Sequence, residues 1–272
     1  MHYQKNDPPA ALRSRVTGFW YLCLDFAHLP NGFEVLPDGY VEIMFHFGSP
    51  CYLATPTGWH RLPSPFRMGL LQAPVRLHAR GPVTFLSAQC FPWAVSELWG
   101  LPAAPAGAGR VSQPLAQLHA SLAQLMQAGR VTEAFAQLTQ YLLARLGPVS
   151  GDQLLSLAGA AMHAAHGTLP IREVAAAAHA TLRTLERQFK YATGYSVKNV
   201  SGLIRFAQVR NHLWVQPATS LAGLAHEMGY ADQAHLSREF KRYSGTTPGS
   251  FARTHAPGSP AAGADFVAFV QA

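Results

Sequence analysis

The stretch Leu185-Glu186-Arg187-Gln188-Phe189-Lys190-Tyr191-Ala192-Thr193-Gly194 returns 51 positions later as Leu236-Ser237-Arg238-Glu239-Phe240-Lys241-Arg242-Tyr243-Ser244-Gly245. Leu, Arg, Phe, Lys and Gly keep their slots, so L-x-R-x-F-K-x-x-x-G occurs twice. Residues four apart share a helix face, which sets Leu185 with Phe189, and Leu236 with Phe240, against a core. Each copy follows a short apolar helical pattern and a tight turn. Two helix-turn-helix units in tandem are the simplest fold that satisfies both copies.

In the first unit, residues 171–178 read as the leading helix, with Ile171, Val174 and Ala175 facing inward. His179 falls at a turn where a left-handed backbone is needed; Gly is the usual occupant and His is among the residues tolerated. Thr181 is placed to cap a second helix over 182–192, which Gly194 ends. The second unit has one extra residue in its turn: Gly229 bends the chain, Tyr230 packs behind it, and Asp232 caps a helix over 233–244. Thr247-Pro248 then opens a short final helix. Between the units, residues 197–215 keep Val200, Leu203, Ile204, Ala207, Leu213 and Trp214 in helical register, a connecting helix of roughly 27 Å at 1.5 Å per residue.

Charge points the same way. Charged residues are only 13% of the 272-residue chain, yet the isoelectric point is near 9.6. Residues 168–255 hold 11 Lys and Arg against 5 Asp and Glu, while the first 167 hold 10 against 8. A basic C-terminal third beside a near-neutral remainder suits a polyanion, the alternative being a solvated basic face with no partner. Successive major grooves on one duplex face lie about 34 Å apart, and each admits a helix. A rigid connector of the expected length holds two recognition helices near that spacing, so one chain could read two turns of double-stranded DNA. Arg183, Glu186, Arg187 and Lys190 lie on the outer face of the first helix. Gln233, His235, Ser237, Arg238, Lys241 and Arg242 are free to point outward from the second. Long polar side chains suit base edges; Lys190, Lys241 and Arg242, at later turns, suit phosphates, and Thr181 and Ser237 are added to that set. Arg187 and Arg238 have an alternative role, holding a carboxylate between helices. Glu186 could instead pair with Arg183 or Lys190.

The N-terminal part reads as β-structure. Aromatic and β-branched runs over 16–26, 39–47, 51–55, 68–71, 75–79 and 83–90 are broken by Pro30-Asn31-Gly32, Pro37-Asp38-Gly39 and Gly81-Pro82, the pattern of a small barrel or sandwich. On the strand over 40–47, Val41, Ile43, Phe45 and Phe47 share one face; Glu42, Met44 and His46 share the other. Glu42 and His46 line a ligand pocket if that second face points into a barrel, with Trp20 and Trp59 among the aromatics that could wall it; otherwise the two face solvent. A Pro/Ala/Gly connector spans 102–109. Two helices follow, carrying Leu115, Leu118, Leu122, Leu125 and Met126, then Val131, Phe135, Leu138, Leu142 and Leu143. Their stripes serve packing in the linker or, alternatively, a homodimer face.

Enzyme classes find little support. No Gly-rich phosphate loop, G-x-S-x-G or CxxC pair occurs. His28, His60 and His78 are isolated, and the three-residue spacing of His163 and His166 is weak evidence for a metal. Neither a catalytic residue nor a metal or other cofactor is expected. Cys23, Cys51 and Cys90 are odd in number and lie in apolar runs, which suits free buried thiols in a reducing cytoplasm. No charged-then-apolar leader and no membrane-length apolar run is found.

The pattern Ala225-x3-Gly229-Tyr230-x-Asp232-Gln233-x-His235-Leu236-Ser237-Arg238-x-Phe240-Lys241-x3-Gly245-x2-Pro248-x2-Phe251 resembles the AraC/XylS family of transcriptional regulators. The resemblance spans roughly residues 149–253. It implies insertion of two helices into consecutive major grooves and control of transcription, more often activation, with RNA polymerase as a partner. By slot it implies base contacts for Arg183, Glu186 and Arg187, and for Gln233, His235 and Arg238. Two departures fall in the first unit: His179 replaces the turn Gly, and Val197 stands where the second copy has Pro248. A first helix that docks less tightly or contributes less to sequence choice is expected from them. Less specifically, Pro37-Asp38-Gly39-x2-Glu42-x3-His46 and the strand over 81–91 are similar to the cupin-like sensor domains of that family, which implies sensing of a small-molecule effector or dimerisation.

The expected fold is α+β: a small β-barrel, cupin-like domain over 1–101, a connector and helical linker over 102–148, an all-α tandem helix-turn-helix domain over 149–255, and a tail over 256–272. The expected function is a sequence-specific DNA-binding regulator modulated by a small molecule. The alternatives are a catalytic or metal-binding barrel delivered to DNA, and a ligand-independent regulator.

Overall fold

The computed structural model describes residues 2–29, 32–101, 108–110, 115–146 and 153–255. The expected boundary near residue 149, the tail over 256–272 and most of the connector over 102–109 lie outside them.

Strands β1 (His2–Asn6), β2 (Val16–Asp25), β3 (Phe33–Val35), β4 (Val41–Gly48), β5 (Cys51–Thr55), β6 (Gly58–Arg61), β7 (Phe66–Met68), β8 (Val75–Ala79) and β9 (Pro82–Cys90) precede the short helix α1 (Val95–Trp99) and strand β10 (Ala108–Arg110). They form two antiparallel sheets, one ordered β1-β2-β9-β4-β7-β10 and the other β3-β8-β5-β6. Among the described residues no ladder joins the sheets, so of the expected barrel or sandwich the β-rich part takes the open, two-sheet form. Alternation of apolar residues reports which face is buried and carries no information on whether edges meet, so it leaves barrel and sandwich equally open. Strand β1 escaped notice because His-Tyr-Gln-Lys-Asn has no apolar alternation. Its main chain pairs with β2 at the sheet edge while its side chains stay largely exposed.

Strand β4 shows how the larger sheet is buried on both sides. Met44 joins Trp20, Leu22, Phe66 and Phe85 in the cluster between the sheets. Val41, Ile43 and Phe45 turn the other way, into a second cluster that includes Phe19, Leu86 and the helices. Helices α2 (Leu115–Gln127) and α3 (Val131–Leu143) cover that outer face. Leu115, Leu118, Leu122, Phe135, Leu138 and Leu142 are all buried there. The linker stripes are thus spent within the chain. Burial of this kind stabilises by about 1.5–3 kcal/mol per large apolar side chain.

The remaining helices are α4 (Gln153–Ala164), α5 (Ile171–Ala177), α6 (Leu182–Thr193), α7 (Val197–Val215), α8 (Leu221–Glu227), α9 (Gln233–Ser244) and α10 (Pro248–His255). Helix α7 is apolar nearly all round, with Val200, Leu203, Ile204, Phe206, Val209 and Leu213 buried, as a central helix must be. One apolar cluster runs unbroken from Leu12 to Ala252, so the β-rich and helical parts share a core. At their junction, Arg210 of α7 donates from Nη1 to the carbonyl of Pro37 at 2.9 Å, and the Tyr195 hydroxyl donates to the carbonyl of Leu70 at 3.2 Å.

Candidate nucleic-acid interface

The two units close their recognition helices with matched chemistry. At the start of α6, the Thr181 hydroxyl accepts from the Thr184 N–H at 3.2 Å; at the start of α9, the Asp232 carboxylate accepts from the His235 N–H at 2.6 Å. Each cap satisfies an amide that a helix end leaves without a partner. At the far ends, Gly194 and Gly245 take positive φ of 81° and 74°. One slot earlier, the Thr193 and Ser244 hydroxyls donate to the carbonyls of Phe189 and Phe240, both at 2.8 Å, and accept from the N–H of Tyr195 and Thr246. Sequence reasoning missed this pair, although a small hydroxyl residue before each Gly was visible in the repeat.

The turns match too. His179 and Gly229 hold φ of 51° and 66°, and the next N–H, from Ala180 or Tyr230, returns to the carbonyl of Ala175 or Ala225 at 2.9 Å. The units differ behind the helices. Tyr230 donates to Glu239 at 2.9 Å, Arg205 of α7 donates to the same carboxylate at 3.0 Å, and the Arg205 guanidinium lies 4.3 Å above the Tyr230 ring. In the first unit these slots hold Ala180 and Gln188, and the Gln188 Oε1 is buried with no hydrogen-bond partner. The ordinary amphipathic plan is common to both, with Leu185, Phe189, Leu236 and Phe240 buried.

The outward residues are placed as follows. Thr181, Arg183, Arg187, Lys190, Gln233, Arg238, Lys241 and Arg242 are exposed; Glu186, His235 and Ser237 are half-buried. None of Arg183, Arg187, Lys190, Arg238 and Lys241 forms an ion pair among the described residues. Their charge is left for a partner, and closely set cations of one sign attract a polyanion. The Arg242 guanidinium lies 5.0 Å over the Tyr243 ring. His235 accepts at Nδ1 from the Ala231 N–H, with its ring edge-on to Tyr230, so the neutral imidazole carries its proton on Nε2. Tyr191, in the slot of Arg242, is 87% exposed. It was not singled out from the sequence because an aromatic on an amphipathic helix reads as core.

Residues 174–254 match a family model described as a helix-turn-helix domain. This C-terminal part is an AraC-type helix-turn-helix domain. Residues 4–109 match a second model, described as a domain of unknown function, DUF6597. The comparison with curated proteins gives no match. Among solved structures, the DNA-binding domain of AdpA in complex with a target DNA is 23% identical, over 39% of this chain and 94% of that one, with a TM-score of 0.35. ToxT from Vibrio cholerae is 8% identical over 93% and 98%, with a TM-score of 0.46. The C-terminal domain of AraT from Geobacillus stearothermophilus is 21% identical over 42% and 93%, with a TM-score of 0.37.

In the β-rich domain, the expected pocket residues part company. Glu42 is buried and accepts from Trp20 Nε1 at 3.2 Å, Ser87 at 3.2 Å and Gln89 at 3.3 Å; Gln89 also donates to Asp38 at 3.0 Å. Burial, then the charge on Asp38, push the Glu42 carboxyl well above the ordinary range. Burial raises Asp38 as well, opposed by the Tyr40 N–H and by Arg210. His46 shares the Glu42 face but contacts the carbonyl of Pro63 at 3.1 Å, and burial lowers its pKa. Trp59 joins neither: it is 50% exposed on the edge strand β6, beside His78. Asp38, Tyr40 and Gln89 line a cleft against His163, Ile204 and Arg210 whose volume is about 20 Å³. That space suits a water molecule, whereas small-molecule sites begin at about 300 Å³. Burial pushes the Cys51 and Cys90 thiols up to about 12, which suits inert core residues. Among the described residues no group of three or more His, Cys, Asp or Glu could hold a metal ion, and no helix is long and apolar enough to cross a membrane.

Proposed function

We propose that the regulator binds double-stranded DNA by sequence, setting α6 and α9 in consecutive major grooves on one side of the duplex, in the cytoplasm. One observation carries this reading: two capped helices, whose exposed Arg183, Arg187, Lys190, Arg238 and Lys241 form no ion pair among the described residues, are hung from a single buried 19-residue helix, α7. Base edges fall to Arg183, Glu186 and Arg187 on α6, and to Gln233, His235 and Arg238 on α9. Phosphates fall to Thr181 and Lys190, and to Ser237, Lys241 and Arg242, with the Tyr191 hydroxyl added. Nε2–H makes His235 a donor to a base acceptor.

Activation through RNA polymerase belongs to the same reading. A homodimer would need a surface other than the α2 and α3 stripes, which are buried within the chain. A small-molecule effector at the N-terminal domain must displace core side chains or part the domain junction, since Trp20, Met44, Phe66 and Phe85 fill the space between the sheets.

Mobility-shift titration against promoter fragments across a salt series tests the proposal. The expected result is a steep fall in affinity with salt and a sequence preference that survives at high salt. Binding indifferent to sequence at every salt concentration refutes it.

A further inference from the structure

The two recognition helices are braced differently, and the first is braced by the other domain. Helix α9 has its own brace, the Arg205–Glu239–Tyr230 set. Helix α6 has Gln188 and Ala180 in those slots. Behind α6 instead sits Trp93, from the turn Pro92–Ala94 that ends β9. Its ring lies 5.8 Å from Phe189, 4.9 Å from Phe91 with which it stacks, and 6.1 Å from His163. Gly159 of α4 makes room for it: a Cβ there would fall 1.9 Å from ring carbon Cζ2. Tyr40 stacks on His163 at 5.5 Å and extends the aromatic contact across the junction.

We propose that Trp93 is a positioning residue for the first recognition helix, so that the β-rich domain governs reading of one half of the operator and leaves the other half to α9. The inference rests on the two-groove reading above and adds which half the N-terminal domain controls. The reasoning is steric. Phe189 is on the inner face of α6, on the opposite side from Arg183 and Arg187, so a shift of the Trp93 ring tilts the helix and moves its cations relative to the groove. Among the described residues no aromatic ring of the β-rich domain packs on the inner face of α9; its back is held by α7.

Hydroxyl-radical footprinting of the full chain, on a duplex selected from a random pool by the unaltered protein, tests this. Two protected tracts are expected, assigned to α6 and α9 by their loss in Arg183→Ala and Arg238→Ala. Trp93→Ala then lowers overall affinity about tenfold, and at saturating protein it leaves only the α9 tract protected. Trp93→Phe, which keeps a ring against Phe189, retains both. Gly159→Ala forces the ring out from the opposite side and reproduces the half-site loss. Fading of both tracts together in either variant, or persistence of both, overturns the assignment. A single tract with the unaltered protein sinks the two-groove reading itself, a failure visible before any Trp93 variant is made.

Discussion

Arg205 and Glu239 meet at 3.0 Å between α7 and the inner side of α9, with side chains only 17% and 16% exposed. The pair ties the connecting helix to the second recognition helix. Tyr230 donates to the same carboxylate and stacks under the guanidinium, so one acid satisfies two donors.

Removing the acid strands both donors. Glu239→Ala should therefore lower stability by about 1–3 kcal/mol, since hydrogen bonds to charged groups carry that much. Urea titration followed by circular dichroism checks it, and an unchanged midpoint would show that the brace carries no load.

Base and phosphate contacts separate experimentally. Arg238→Ala should cost roughly 1–3 kcal/mol at one base position, while Lys241→Ala should weaken all sequences alike and reduce the salt slope by about one. Binding measured on single-base variants of a selected site distinguishes the two. A uniform loss from Arg238→Ala would assign that arginine to phosphate.

Burial, reinforced by His166, holds the His163 imidazole down at about 4. Its folded value lies below the unfolded one near 6.5, so the unfolded chain binds more protons between them and stability falls as pH drops through that window. The loss should reach roughly 2–3 kcal/mol by pH 4.5. His163→Phe, which keeps a ring against Tyr40, should abolish it. Denaturant titrations at pH 7.5 and 4.5 on both proteins decide the matter.

Glu42 behaves oppositely. Its carboxyl is raised, chiefly by burial, so the folded chain holds the proton longer and stability falls as pH rises above the ordinary carboxylate value. Glu42→Gln keeps an acceptor for Trp20 and Ser87 without the charge. It should flatten the fall of melting temperature between about pH 4.5 and 8; a slope equal to that of the unaltered protein would assign the effect to Asp38.

The repeat made the helical half legible because its information is local. Caps, positive-φ turns and i, i+4 pairs are written in neighbouring residues, and Thr181, His179, Gly229 and Asp232 each take the conformation their chemistry implies. The β-rich half depends on distant pairings. Alternation along β4 told the two faces of Glu42 and Val41 apart, yet nothing local shows that β6 ends as an edge with Trp59 half in solvent. The junction was invisible for the same reason: Trp93 read as one more core aromatic, and only its distance to Phe189 and Gly159 reveals what it packs against. Arg210 likewise counted toward the basic excess but is buried against Pro37.

On the two-groove reading a rigid α7, about 27 Å long at 1.5 Å per residue, fixes the spacing of the two recognition helices. Inserting five base pairs between the two halves of a selected site rotates one half by roughly half a turn. Affinity should then fall to that of a single half-site, and a ten-base-pair insertion, which adds about 34 Å, should not restore it. Undiminished binding to the five-base-pair insertion would contradict the two-groove reading.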